Sequence, residues 1–285
     1  MRLEHGLMLI IAILIGSIIG LEGERFPVFD KFIFTFFTAL FLEASTFALN
    51  DYFDLEIDVK NKRFDRPLVC GAVSPKTALI LFFMLFPLGI LSSFFVNYTC
   101  FTIAVVTGFL AIVYDVYLKR VKLVGNFYIA YTMAIPFVFG GAAVVSDASF
   151  SFAVHPAIYI VACIAFLAGS GREIMKDVMD FEGDTIKGVL SFPKYIGVRW
   201  SNSVSAVFYL VAIVLSFIPF FQGFYEMYFL NYYYLFLVLI CDSLLLSTAF
   251  NLLVRKNVHM KLYRRLTLVA LFIGLLAFLI GAIMH

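Results

Sequence analysis

Residues 50–67 read NDYFDLEIDVKNKRFDRP, and the rest of the chain is arranged around them. The stretch closes a long apolar run that starts near Phe32. It holds five acids (Asp51, Asp54, Glu56, Asp58, Asp65) and four bases (Lys60, Lys62, Arg63, Arg66). Asn50, Asp54 and Asp58 are spaced i, i+4, i+8, and at 100° per residue they drift only about 80° around a helix, so they share one face. Three oxygen-bearing side chains on one face, at the mouth of a membrane helix, crowd like charges and resist burial. A hard divalent cation relieves both problems. Mg²⁺ typically binds through one or two carboxylates together with substrate phosphates, and the bases just downstream suit the remaining negative oxygens of such a substrate. A solvated loop after a membrane span would account equally well for one such cluster; a second cluster decides between the two.

The chain is 285 residues long, 63% hydrophobic and only 14% charged. With a mean hydropathy of +0.99, this is the composition of an all-α, polytopic membrane protein and not of a soluble domain. Nine apolar segments are able to cross a bilayer, at roughly 7–21, 32–50, 77–96, 99–118, 124–145, 156–172, 203–221, 229–253 and 266–284. The first is short, and the chain starts almost inside it, so this span could extend upstream of Met1. Cys70, Cys100, Cys163 and Cys241 lie far apart, form no CxxC and read as apolar filler. His5, His155, His259 and His285 make no metal-ligand pattern, no cleavable signal peptide is apparent, and no basic, aromatic-interleaved patch suggests nucleic acid.

Charge fixes the orientation. One side receives the N-terminus and the connections after spans two, four, six and eight. It carries nineteen of the 21 Lys and Arg, leaving Arg25 and Lys31 for the other. By the positive-inside rule the rich side is cytoplasmic, with the N-terminus inside and the C-terminus outside.

The second cluster lies on the same side. Residues 169–184 read GSGREIMKDVMDFEGD. On a continued helix Glu173, Asp177, Asp180 and Asp184 fall within about 60° of one another, with Arg172 and Lys176 beside them. Gly183 and Gly188 are expected to let the chain turn back. Spans two and six thus emerge on one side, each with a carboxylate stripe followed by bases and then proline, which reads as an internal duplication. A pair of such stripes points to a shared site for two Mg²⁺ ions and a diphosphate, with Lys and Arg on its free oxygens. The metals and bases would make the diphosphate a good leaving group. If the rest of the substrate is an allylic isoprenoid, aromatic faces could stabilise the resulting cation by about 0.5–2 kcal/mol each.

NDYFDLEID at 50–58 and KDVMDFEGD at 176–184 resemble the two aspartate-rich motifs of the UbiA superfamily of intramembrane prenyltransferases. RLEHGLM at 2–8 resembles the start of that family's first helix, and YDVYLKRVKLVGN at 114–126 its loop after helix four. The resemblance implies a single domain over 1–285: nine helices around a central cavity, with pseudo-repeats over helices 1–4 and 5–8 and a ninth helix. It implies Mg²⁺-dependent transfer of a prenyl group from a prenyl diphosphate to a lipid or aromatic acceptor within the membrane. By position, Asn50, Asp54, Asp58, Asp177, Asp180 and Asp184 become metal or diphosphate ligands, and Lys62, Arg63, Arg66, Lys119, Arg120, Arg172 and Lys176 diphosphate contacts.

The second motif resembles the ether-lipid branch, which alkylates geranylgeranylglyceryl phosphate, and also the tail-attaching branches that use aromatic acceptors. DRPLVCG at 65–71 departs from the NRPIPSG of the ether-lipid branch. Geranylgeranylglyceryl phosphate is the expected acceptor, with an aromatic, quinone-type acceptor as the alternative. An ion-coupled transporter is the rival of another class, since acids within a membrane often mark ion pathways. Glu43, two turns deeper than Asn50 on the same face, is a candidate for lining the acceptor side. Asp242 reads as structural, and Asp115 is expected to pair with Lys119, four residues on.

Overall fold

The computed structural model describes residues 3–21, 29–145, 154–186, 188–223, 226–255 and 258–284. These residues are helical almost throughout: α1 (Leu3–Leu21), α2 (Phe29–Lys60), α3 (Pro75–Val96), α4 (Tyr98–Val116), α5 (Lys122–Val144), α6 (Pro156–Ile186), α7 (Phe192–Ser216), the single turn α8 (Ile218–Phe221), α9 (Tyr232–Val254) and α10 (Met260–Ile283). Among the described residues eight helices are long and apolar enough to cross a membrane, and α1 is a shorter apolar helix. This agrees with the nine expected spans. All backbone polar groups of a spanning segment must be satisfied within it, and helices do so internally. Large apolar side chains such as Phe83, Phe109 and Phe236 face outward, which lipid tolerates and water would not.

The two motif helices are the longest, and both run well past the apolar segment read from sequence. α2 continues to Lys60 and α6 to Ile186. Gly183 was expected to open a turn, yet it stays helical; one glycine inside a helix costs only about 1 kcal/mol. The chain reverses at Gly188, the other glycine expected to permit it, whose φ of 70° lies in the left-handed region. α2 stops where Lys62 adopts φ 53°, and Ser74 caps α3 by accepting the N–H of Thr77 at 3.1 Å, with Pro75 in the first turn. The α3–α4 connection is as short as expected: Asn97 alone joins them, its Oδ1 accepting from Cys100 N at 2.8 Å and its Nδ2 donating to the Ala142 carbonyl at 2.8 Å.

α1 lies against α5 with backbones nearly touching. A Cβ added at Gly16 would overlap the Phe137 carbonyl oxygen, and one at Gly140 the Ile13 carbonyl oxygen. Ser17 Oγ donates to the Gly140 carbonyl at 3.0 Å. In lipid, helices gain little from hydrophobicity and associate through such close, small-residue packing. Gly140→Leu is therefore expected to separate α1 from α5. Thermal unfolding in detergent should show destabilisation of about 1–3 kcal/mol or more, and an unchanged melt would refute the close-packing account.

On the far side, Ser216 Oγ donates to Asp242 Oδ2 at 2.7 Å and Tyr234 Oη to the Ser216 carbonyl at 2.7 Å, tying α7 to α9. Asp242 is thus engaged between two helices, as its sequence context suggests.

Candidate active site

The loop after α2 folds back on the helix it leaves. Arg66 pairs with Asp51, and its Nε lies 3.5 Å from Asp58 Oδ2. Asp54 and Asp51 repel the Asp58 carboxylate while Arg66 and Arg63 attract it, so the returning guanidinium relieves the crowding built into the stripe. Lys119, from the turn between α4 and α5, takes Asp54: Nζ to Oδ1 is 2.7 Å, and Asp115 Oδ1 is 3.6 Å away, the expected i, i+4 pair. The same ammonium sits 5.6 Å from the Phe53 ring centroid.

The second stripe is gripped from the start of α5. Asn126 Nδ2 donates to Asp177 Oδ2 at 2.8 Å, Phe192 N–H donates to the same oxygen at 3.3 Å, and Lys122 Nζ lies 3.5 Å from Asp177 Oδ1. Asp177 is only 2% exposed. One turn deeper, Glu173 is buried between Arg172 (3.0 Å) and Lys176 (2.9 Å). Asp180 is half-buried and, among the described residues, is paired with no cation. The side chain of Asp184 lies outside the described residues.

One short connection therefore holds both stripes. Lys119 reaches α2 and Lys122 reaches α6, and three residues of chain span at most about 11 Å. The Leu190 N–H donates to the Arg120 carbonyl at 3.2 Å, stitching the loop after α6 to that connection. Tyr114 stands in the field of Glu173, Asp115, Asp54 and Asp177 at once. Both stripes are thus tied to the same short connection. Beneath them, Tyr114 stacks on Tyr128 at 4.7 Å, with Tyr131 next at 6.4 Å. On the α6 side, Phe127 lies about equally close to Phe166, Phe192 and Phe208.

Among the described residues, not every expected base pairs with a carboxylate of the stripes. Lys62 and Arg120 are exposed. Arg63 is engaged by Asp65, donating to both its oxygens at 2.9 Å, and this contact pulls the Asp65 carboxyl down to about 2. Glu43 is half-buried on α2 and joins none of the ion pairs above. Lys122, Asn126 and Asp51 belong to the arrangement without having been expected there. Lys122 and Asn126 carry a signal in retrospect, an i, i+4 polar pair opening an apolar helix.

These donors fit a hard divalent ion. They are oxygens, and Asp54 and Asp180 remain partly accessible. Among the described residues no three acidic, histidine or cysteine side chains converge on one point. An ion here would take one or two carboxylates and complete its shell with phosphate oxygens and water, the habit of Mg²⁺.

The fold defines a multi-pass membrane protein in which two acidic helix stripes are paired with bases of one short connection. The family model of the UbiA prenyltransferase family matches residues 9–276, and the chain belongs to that family. It is 40% identical over 283 residues to digeranylgeranylglyceryl phosphate synthase of Archaeoglobus fulgidus, covering 99% of this chain and 93% of that one. A solved structure of a digeranylgeranylglyceryl phosphate synthase matches with a TM-score of 0.78 at 32% identity, over 98% of this chain and 92% of the other. A UbiA homolog from Archaeoglobus fulgidus bound to DMAPP and Mg²⁺ shares the fold at a TM-score of 0.57 and 15% identity, over 97% of both chains.

Proposed function

We propose that the chain transfers a geranylgeranyl group from geranylgeranyl diphosphate to the free hydroxyl of geranylgeranylglyceryl phosphate. The products are digeranylgeranylglyceryl phosphate and diphosphate. The observation that carries this is the double grip of the α4–α5 connection, Lys119 on Asp54 and Lys122 on Asp177, which ties both acidic stripes to one short stretch of chain and so supports a shared site. Likeness to digeranylgeranylglyceryl phosphate synthases over nearly the whole chain supports the acceptor. The excess of Lys and Arg on one side supports a cytoplasmic site.

Asn50, Asp54 and Asp58 on one wall, and Asp180 and Asp184 on the other, would hold two Mg²⁺ ions. When bound, these neutralise the diphosphate oxygens as charge develops on them. Arg66 and Lys119 are long enough to turn from their carboxylates to those oxygens. Asp177 anchors the second wall to α5. The donor C1–O bond breaks, its electron pair leaving with the diphosphate, and the allylic cation lies against Tyr114, Tyr128 and Tyr131. The acceptor oxygen then bonds to C1, and its proton passes to water.

The test incubates purified protein with Mg²⁺, labelled geranylgeranyl diphosphate and separate acceptors: geranylgeranylglyceryl phosphate, other glycerol-phosphate ethers, and hydroxylated aromatic acids. A Mg²⁺-dependent diether product only with the first is expected. Preference for an aromatic acid, or donor consumption independent of any acceptor, would overturn the assignment.

A further inference from the structure

Lys119 is shared between two unequal carboxylates. Asp54, 2.7 Å away, belongs to the first acidic wall and is 23% exposed. Asp115, 3.6 Å away, lies one turn back along Lys119's own stretch of chain and is 4% exposed. Its Oδ1 is buried and makes no hydrogen bond. A metal ion on Asp54 brings its charge against the ammonium that now lies 2.7 Å from Oδ1, and the repulsion between the two cations drives Lys119 off. An ammonium displaced in a half-buried site needs anionic partners. Asp115 is one, fixed in place, and a diphosphate oxygen arriving with the metal is the other.

We propose that Lys119 is exchanged between Asp54 and the diphosphate, with Asp115 as the positioning residue that keeps it in reach, so that metal and diphosphate bind cooperatively. This rests on the reading of the site as a metal–diphosphate site. A metal arriving alone crowds Lys119 with a second cation. A diphosphate arriving alone meets the Asp54 carboxylate. Together each removes the other's cost, and linkage requires each ligand to tighten the other by the same factor.

The experiment follows Mn²⁺ binding by electron paramagnetic resonance in detergent-solubilised protein, with and without inorganic pyrophosphate. It compares wild type, Lys119→Met, Asp115→Asn and Asp115→Glu. In wild type, pyrophosphate should tighten Mn²⁺ binding beyond what chelation in solution explains. Lys119→Met should bind Mn²⁺ alone about fivefold or more tightly than wild type and lose the protein's share of the coupling. Asp115→Asn should weaken pyrophosphate binding and the coupling, and Asp115→Glu should restore both, which separates lost positioning from lost fold. Lys119→Met binding Mn²⁺ no more tightly than wild type, or unchanged coupling in Asp115→Asn, overturns the proposal. Wild-type protein that binds neither Mn²⁺ nor its pyrophosphate complex overturns the underlying site reading as well. Intact binding with unaltered coupling sinks the exchange alone.

Discussion

Asp54→Asn and Asp180→Asn are each expected to cut prenyl transfer by on the order of a hundred- to a thousandfold, in protein that still folds. The argument is one of charge without shape. An amide fills the same volume as a carboxylate but offers a metal ion one weak oxygen instead of two anionic ones. Neither site is needed to hold the bundle together. Asp180 is half-buried and paired with no cation among the described residues, so its amide leaves nothing stranded. Asp54 does hold Lys119, but an asparagine oxygen still accepts from that ammonium, and Asp115 stays beside it. A partly exposed pair of this kind contributes no more than about 1 kcal/mol. Thermal unfolding should therefore match wild type while kcat falls and the Mg²⁺ requirement rises. Wild-type turnover in both variants would remove the metal assignment from both walls. A collapse in stability to match the loss of activity would show instead that these carboxylates hold the structure.

Much of this site is legible in the sequence because helical spacing is local. The stripes on α2 and α6, their emergence on one side, and the nearby bases all follow from periodicity and the charge asymmetry. The remainder depends on contacts that no spacing reveals. Asp51 lies about 100° from Asn50 but only about 20° beyond Asp58 around the helix, yet its pairing depends on the loop that returns Arg66 to it. Lys122 reads as an ordinary cytoplasmic charge until α5 packs beside α6. Arg63 sits among the right residues but is captured by Asp65, two positions on. Of the two glycines expected to turn the chain, Gly188 takes the positive φ of a reversal and Gly183 stays helical, because glycine permits a turn but does not compel one.

Asp177 is expected to behave unlike its neighbours on the stripe. Its oxygens already receive Asn126, the Phe192 N–H and Lys122, and it is nearly inaccessible. Asp177→Ala leaves those donors buried without that acceptor, a class of change that costs about 3–5 kcal/mol. The melting temperature should fall on the order of 10 °C, with activity lost because the second wall is no longer fixed to the α4–α5 connection. The discriminating variant replaces both Asn126 and Asp177 with leucine. Removing the Asn126 amide together with its acceptor leaves only the Phe192 N–H and Lys122 without Asp177, so the double variant should recover part of the stability lost by Asp177→Leu alone, giving a favourable coupling in a double-mutant cycle. Asp177→Ala protein that melts like wild type yet is inactive would place Asp177 among the metal ligands instead. The two outcomes part cleanly because an anchor is felt in the fold whether or not substrate is present, whereas a ligand is felt only once the metal arrives.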